Sequence, residues 1–411
     1  MNPPQLSDAA LSGAPASAKA VAATIRLIAL ATFFSGAGLR LCDGLIPRLA
    51  TDFSLTSGQA GAVITSFSIA YGVAQLLFGP LGDRFGKALL ISIALFGCVA
   101  GALASALAPD FGTLVWARAA WGVAAAGVVP LSMAWVGDAV AFEERQATLA
   151  RLLFGTLSGM MAGQLAGGLF ADSPLGWRGA FFTMAAGFLL VGVLMVRRLR
   201  SMSENAAPPS GAGHVAQLRS VLTLPWCWAV LGAGFAEGLF LLGPLAYMPA
   251  TLHERFGLSL SAAAGLIAFY AVGGLIYAAM ARHLVTRLGQ ARMATVGGGI
   301  MGAGYLCWML SPVAWTAAPV ALAVGFGTYM LHNTLQTHAT QMAPWARGTA
   351  VALFACSMFT GQALGALLAG WLHDHVGMGA ALAAPVVMLP LTGWLFAYAL
   401  RRKGATPIRP G

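Results

Sequence analysis

Charge is what this sequence has least of. Only 9% of its 411 residues are Asp, Glu, Lys or Arg, and the acids are the scarcer sign, 13 against 23 basic residues. A water-soluble globular chain carries about 25% charged and about 45–50% apolar residues. Here the apolar share is 58% and the mean hydropathy is +0.78. Such a chain cannot cover a water-facing surface, which excludes a soluble domain and also disorder or collagen. Cysteine is almost as scarce. Cys42, Cys98, Cys227, Cys307 and Cys356 lie in or beside apolar runs, are odd in number and form no CxxC or CxxxH frame. That argues against a disulfide framework or a zinc site and for small apolar side chains. No glycine-rich loop follows a strand, which argues against an ATP-driven pump.

What the sequence has is long apolar runs. About 20 apolar residues cross a bilayer as a helix, whereas barrel strands alternate over about 10. The run at 88–108, ALLISIALFGCVAGALASALA, is continuous. The pattern predicts an all-α membrane protein with twelve transmembrane helices: 24–47, 58–80, 88–108, 112–137, 147–171 and 177–196, then 224–250, 260–281, 292–311, 315–339, 348–371 and 378–400. The expected organisation is a disordered cytoplasmic tail at 1–20 with no cleaved signal, a six-helix bundle at 21–196, a cytoplasmic linker at 197–223, a second six-helix bundle at 224–400 and a cytoplasmic tail at 401–411.

The net charge of +10 reads as topology rather than nucleic-acid binding. With the N-terminus inside, 18 of the 23 basic residues fall on the cytoplasmic side, as the positive-inside rule requires. The two bundles are internally related. Pro47 and Pro249 stand 202 apart, as do Arg145 and Arg347, and Gly159, Gly163 and Gly168 stand 202 before Gly361, Gly365 and Gly370; Gly86 and Gly289 stand 203 apart.

Between the second and third spans the chain reads Gly79-Pro80-Leu81-Gly82-Asp83-Arg84-Phe85-Gly86-Lys87. This resembles the G-x-L-x-D-R-x-G-R/K signature loop of the major facilitator superfamily. Arg118-Ala-Ala-Trp121-Gly122 in the fourth span and Asp43-x-x-x-Pro47 at the end of the first are similar to two further elements of that family. In the second half the loop has decayed to Arg282, Leu284, Thr286, Arg287 and Gly289, without the acid. The fifth span resembles the family's antiporter element, with Gly163-Gln164 where that element has Gly-Pro. The overall pattern is most like bacterial drug and sugar efflux members that exchange substrate for protons. The resemblance implies a cytoplasmic gate of Gly79, Asp83, Arg84, Gly86, Lys87, Asp138 and Arg347. In it Asp83 faces the start of the eleventh span near Arg347, where the helix dipole attracts a carboxylate, and Arg84 pairs with Asp138.

Inside the spans an ionisable group costs about 2.5–3.5 kcal/mol or more unless it is paired or hydrated. Arg40 and Asp43, three apart, share a helix face, and the resemblance brings Arg118 into the same cavity. Glu237 lies near the middle of the seventh span with no basic residue within a turn, so it is the first candidate for reversible protonation. His332, Asn333 and Gln336 form a polar stripe on the tenth span, which by resemblance faces the seventh. Tyr71, Gln75, Gln164 and Gln362 are further cavity candidates. The expectation is a secondary transporter of the inner membrane, not an enzyme. It would export small organic molecules, run on the proton gradient without cofactor, metal or nucleic acid, and work as a monomer among membrane lipids. The alternatives are proton-coupled uptake of a small nutrient, anionic if Arg40 and Arg118 face it, and a lipid flippase.

Overall fold

The computed structural model describes residues 18–199 and 214–405, and every regular element in them is helical. Eleven helices are long and apolar enough to cross a membrane. We label them α1 (Val21–Gly44), α2 (Ser57–Gly82), α3 (Lys87–Ala106), α4 (Phe111–Ala139), α5 (Glu144–Asp172), α6 (Gly176–Arg198), α7 (Pro225–Phe256), then one run Leu260–Leu310 that breaks into α8 (residues 260–288) and α9 (residues 290–310), α10 (Ala314–Gln341), α11 (Pro344–His375) and α12 (Met378–Lys403).

The break matters for the count. A straight helix of 51 residues would be about 76 Å long at 1.5 Å per residue, more than twice the ~30 Å of bilayer hydrocarbon. At Gly289 the backbone leaves the helical region, with φ 70° and ψ 164°. Tyr277 before the break and Met293 after it are then buried in one cluster with Met330, so the chain folds back on itself. Gly86, its counterpart between α2 and α3, has φ 88° and ψ 134°. Only glycine takes such angles without strain, and both turns need just one such residue.

The apolar core is divided. One cluster is drawn mainly from α1–α6, the other mainly from α7–α12. The repeat expected from the sequence is present as matching contacts. A methyl group on Gly159 would strike the Phe33 carbonyl, and one on Gly361 would strike the Phe235 carbonyl. Both members of each contact are 202 residues apart. Between the halves, α5 packs on α8 and α2 on α11. Gly168 meets Leu260 and Ala264, while the Tyr71 and Phe359 rings lie 4.5 Å apart. Nearer the end that carries Lys87 and Arg347, Gly79 and Gly348 face open space.

Two boundaries differ from expectation. The signature segment is not a loop: the second helix continues to Phe85, and Gly86 alone connects it to the third. Residues 214–222 of the expected linker form a helix, His214–Leu222. Most of the 1–20 tail, the middle of the linker and residues 406–411 lie outside the described residues.

Candidate functional site

In the N-terminal half the first helix ends at Arg40 and tightens into a buried 3₁₀ turn, Leu41–Gly44. The turn brings Asp43 back under Arg40, and Arg40 Nη1 donates to Asp43 Oδ2 at 3.1 Å. Both side chains are at most 4% exposed. Arg118 of α4 does not join them in an ion pair. Its Nε donates to the Val63 carbonyl at 3.3 Å and its Nη2 to the Gly38 carbonyl at 3.4 Å. Its guanidinium lies 4.2 Å from the Phe67 ring and 4.7 Å from Trp121, an arrangement in which the ring faces attract the cation. Asp43 Oδ1 and Arg118 Nη1 are buried without a hydrogen-bond partner.

Arg40 also reaches the other half, 6.0 Å from the Tyr270 ring of α8. A small cavity of about 10 Å³ lies there, lined by Arg40, Met160, Gln164, Leu245 and Tyr270 among others. Gln164 is buried there, with its Nε2 unpartnered.

In the C-terminal half the α-helix that opens α7 ends at Glu237, and a π turn, Gly238–Leu242, follows at once. A π turn inside an α-helix is rare and frequently marks a functional site. The turn leaves Glu237 aimed at α10, where its Oε2 lies 3.1 Å from His332 Nδ1. Glu237 is 1% exposed and His332 20%, so the pair is buried on the acid side and open on the imidazole side. Glu237 Oε1 has no partner. His332 is wedged between the rings of Tyr329 and Phe354, at 6.1 and 5.8 Å. Asn333 and Gln336 are half-buried on the same helix. Gln362 is buried with its Oε1 unpartnered, and Gln75 is buried too. Tyr71 stacks on Phe67 at 5.8 Å and lies tilted against Phe359 at 4.5 Å, and its hydroxyl is hydrogen-bonded to the Gln75 side chain.

The expected gate is only partly assembled. Asp138 pairs with Lys87 at 2.6 Å, not with Arg84. Because the helix runs on through Phe85, Arg84 points outward and lies 5.1 Å over the Phe85 ring. Arg347 is exposed at the start of its helix. The Asp83 side chain lies outside the described residues.

At the opposite end is a cluster that the sequence reading missed. Asp172, at the end of α5, accepts from the Ser261 amide and hydroxyl, both at 2.7 Å, and from the Leu260 amide at 3.2 Å. Asp374, near the end of α11, accepts from Thr56 Oγ1 at 2.6 Å and from the Gly58 amide at 3.0 Å. Each carboxylate thus caps the helix N-terminus of the other half, where free amides and the dipole favour an anion. Beside Asp374, Glu254 accepts from Ser57 Oγ at 2.8 Å and meets His373 Nε2 at 2.7 Å. The signal was in the sequence: Asp172 and Asp374 are 202 apart.

Among known proteins, the family model of the Major Facilitator Superfamily matches residues 28–346. A probable transporter of Streptomyces coelicolor is 29% identical over 97% of this chain and 90% of its own length. The chloramphenicol resistance protein of Pseudomonas aeruginosa is 24% identical over 82% of this chain and 81% of its own. Among solved structures, a bacterial homologue of the human lysosomal transporter Spinster, in an inward-facing and unoccupied conformation, superposes with a TM-score of 0.75 at 18% identity, covering 96% of this chain and all of that one. With the two related halves and the signature segment between α2 and α3, the match fixes the assignment: this chain belongs to the major facilitator superfamily.

Proposed function

We propose that this membrane transporter exports small organic molecules by alternating access, one proton-carrying group being Glu237. The observation that carries the reading is the Glu237–His332 pair. A carboxylate buried in a span is costly unless something offsets its charge. Here one oxygen faces a histidine and the other is unpartnered. Proton uptake by Glu237 removes the charge, and proton release restores the attraction to His332 if that ring is then protonated. Each state favours a different relation of α7 to α10, so proton occupancy biases the rocking of the halves about the central site. The π turn beside Glu237 supplies backbone slack at the point that must shift.

In this reading the end with Lys87, Arg347 and most other basic residues is cytoplasmic, and the membrane is the bacterial inner membrane. The protein acts as a monomer without a cofactor. Similarity to a chloramphenicol resistance protein supports export and an amphipathic organic substrate. Substrate would enter on the side where Gly79 and Gly348 face open space, past Gln164, Gln362, Asn333 and Gln336.

The test is reconstitution in vesicles with an internal pH dye, screening drugs, sugars, amino acids and organic anions. Proton movement opposite to substrate, abolished in Glu237→Gln, is the expected result. Proton movement with the substrate would replace export by uptake. Substrate flux without proton movement, or a fully active Glu237→Gln, would overturn the mechanism.

A further inference from the structure

Where the end of α11 meets the start of α2, a histidine stands between two acids. His373 Nε2 lies 2.7 Å from Glu254 Oε2, and its Nδ1 lies 3.3 Å from Asp374 Oδ1. Each contact needs a hydrogen between its two atoms. A neutral imidazole carries one N–H, and an ionised carboxylate carries none. The triad in this arrangement therefore holds one proton more than a neutral ring between two carboxylates. A doubly protonated ring satisfies both contacts at once.

The acids are not free to turn away from a ring that has lost this proton, because the other half of the molecule pins them. Glu254 Oε1 accepts from Ser57 Oγ, and Asp374 accepts from Thr56 Oγ1 and the Gly58 amide. Among the described residues no cation stands in for the proton. Tyr247 of α7 faces the ring, with centroids 6.3 Å apart, and its hydroxyl turns to the Gly58 carbonyl at 3.5 Å. His253 and His375 are directed to the Leu258 and Trp371 carbonyls. Arg255 is directed to the Trp308, Met309 and Ser311 carbonyls. The start of α12, Met378-Gly-Ala-Ala, brings no charge. His373 and Asp374 are 13% and 11% exposed but Glu254 is 41%, so the triad reaches water through that acid.

We propose that this triad is a second proton-binding site, centred on His373, whose occupancy keeps the seam between α2 and α11 closed. With the proton in place, the ring holds both acids, and their other contacts cap the start of α2. Without it, a ring lone pair faces a carboxylate oxygen, and parting from α2 frees that acid to turn into water. Proton binding and closure therefore favour each other. The closed seam is stabilised at low pH and loosened as the pH rises through the imidazole range. The triad shares no residue with the Glu237–His332 pair, so its pH response stands or falls apart from that mechanism.

The experiment reads the seam with Ser68→Cys. Ser68 is buried on the face of α2 that carries Gly61 and Gly72, which meet Tyr247 and Phe359. Maleimide labelling of the full chain in detergent, above that of a parent keeping Ser68, is measured at about pH 5.5 and about pH 8, either side of the ordinary imidazole pKa. Dividing each variant's rate by that of the intact triad at the same pH removes the thiol's own ionisation. His373→Gln, which cannot take up the proton, should label roughly tenfold faster than the intact triad at the lower pH and at about the same rate at the higher. Glu254→Gln places an amide donor against a neutral ring, so at the higher pH it should label roughly tenfold slower than the intact triad. A ratio that does not change with pH, or a Glu254→Gln seam as open as that of His373→Gln, would overturn the site. If His373→Gln does not fold, Glu254→Gln carries the comparison alone. The same measurements with Glu237→Gln added separate the two proton sites. A pH response that survives there supports the triad, and one that vanishes with Glu237 overturns it.

Discussion

The two halves of this transporter descend from one pattern but treat buried charge in opposite ways. In the first half Asp43 is tied to Arg40, and Arg118 is tied to two backbone carbonyls and two aromatic faces. In the second half Glu237, like Asp43, keeps one oxygen unpartnered, but the other faces a histidine, whose charge depends on a proton, rather than an arginine. The first arrangement resists change, because removing one partner strands a buried ion. In the proposed mechanism the second admits it, because a proton on Glu237 would substitute for the partner. Pseudo-symmetry of the backbone therefore does not extend to the chemistry: one half sets its buried acid against an arginine, the other against a histidine.

The largest expected effects separate these roles. Glu237→Gln should abolish coupled flux in reconstituted vesicles while leaving the thermal transition in detergent within a few degrees of wild type. Asp43→Asn should do the reverse first. Stranding Arg40 in the interior costs about 3–5 kcal/mol, read as a large fall in melting temperature and in folded yield. A stable Asp43→Asn variant that has lost only transport would erase the contrast.

Intermediate effects belong to the carboxylate caps. Asp172→Asn or Asp374→Asn replaces a charge-assisted hydrogen bond, worth about 1.5–3 kcal/mol, by a neutral one. Each should raise the accessibility of cysteines placed on the central face of α2 or α8, labelled from the Asp172 side, by roughly tenfold. Symmetry demands similar effects from the two; a silent Asp172→Asn beside a strong Asp374→Asn would put the closure on the Glu254–His373 side alone. The two glycine turns offer a finer comparison. Gly86→Ala and Gly289→Ala should each cost about 1–3 kcal/mol, and the thermal shifts should match. The smallest effect is expected of Asp138→Asn, because Asp138 is 63% exposed and surface pairs are worth about 0–1 kcal/mol.

Much of the fold was legible because hydrophobic runs in a membrane are long and their interruptions are charged. The Leu260–Leu310 run was read as two spans because Arg282, Arg287 and Arg292 cannot sit in hydrocarbon, and the backbone breaks among them at Gly289. The meeting of Glu237 with His332 followed from the family resemblance, which sets the tenth span against the seventh. The partner of Asp138 did not, because the choice between Arg84 and Lys87 depends on whether the chain turns before or after Phe85. Asp172 and Asp374 were overlooked for a physical reason as well. A carboxylate at the end of a span looks like an ordinary boundary charge, and its partners are backbone amides, which leave no trace in side-chain identity.

The two caps share no residue and sit at separate seams, one where α5 meets α8 and one where α2 meets α11. Undoing only one of them leaves the other as a hinge pin. The halves would then swing like a door, parting along a single seam and facing the bilayer rather than a water-filled vestibule. Whether cargo leaves into water or into lipid would thus depend on the timing of two small events. A mutation at either corner would alter the route before it altered the rate.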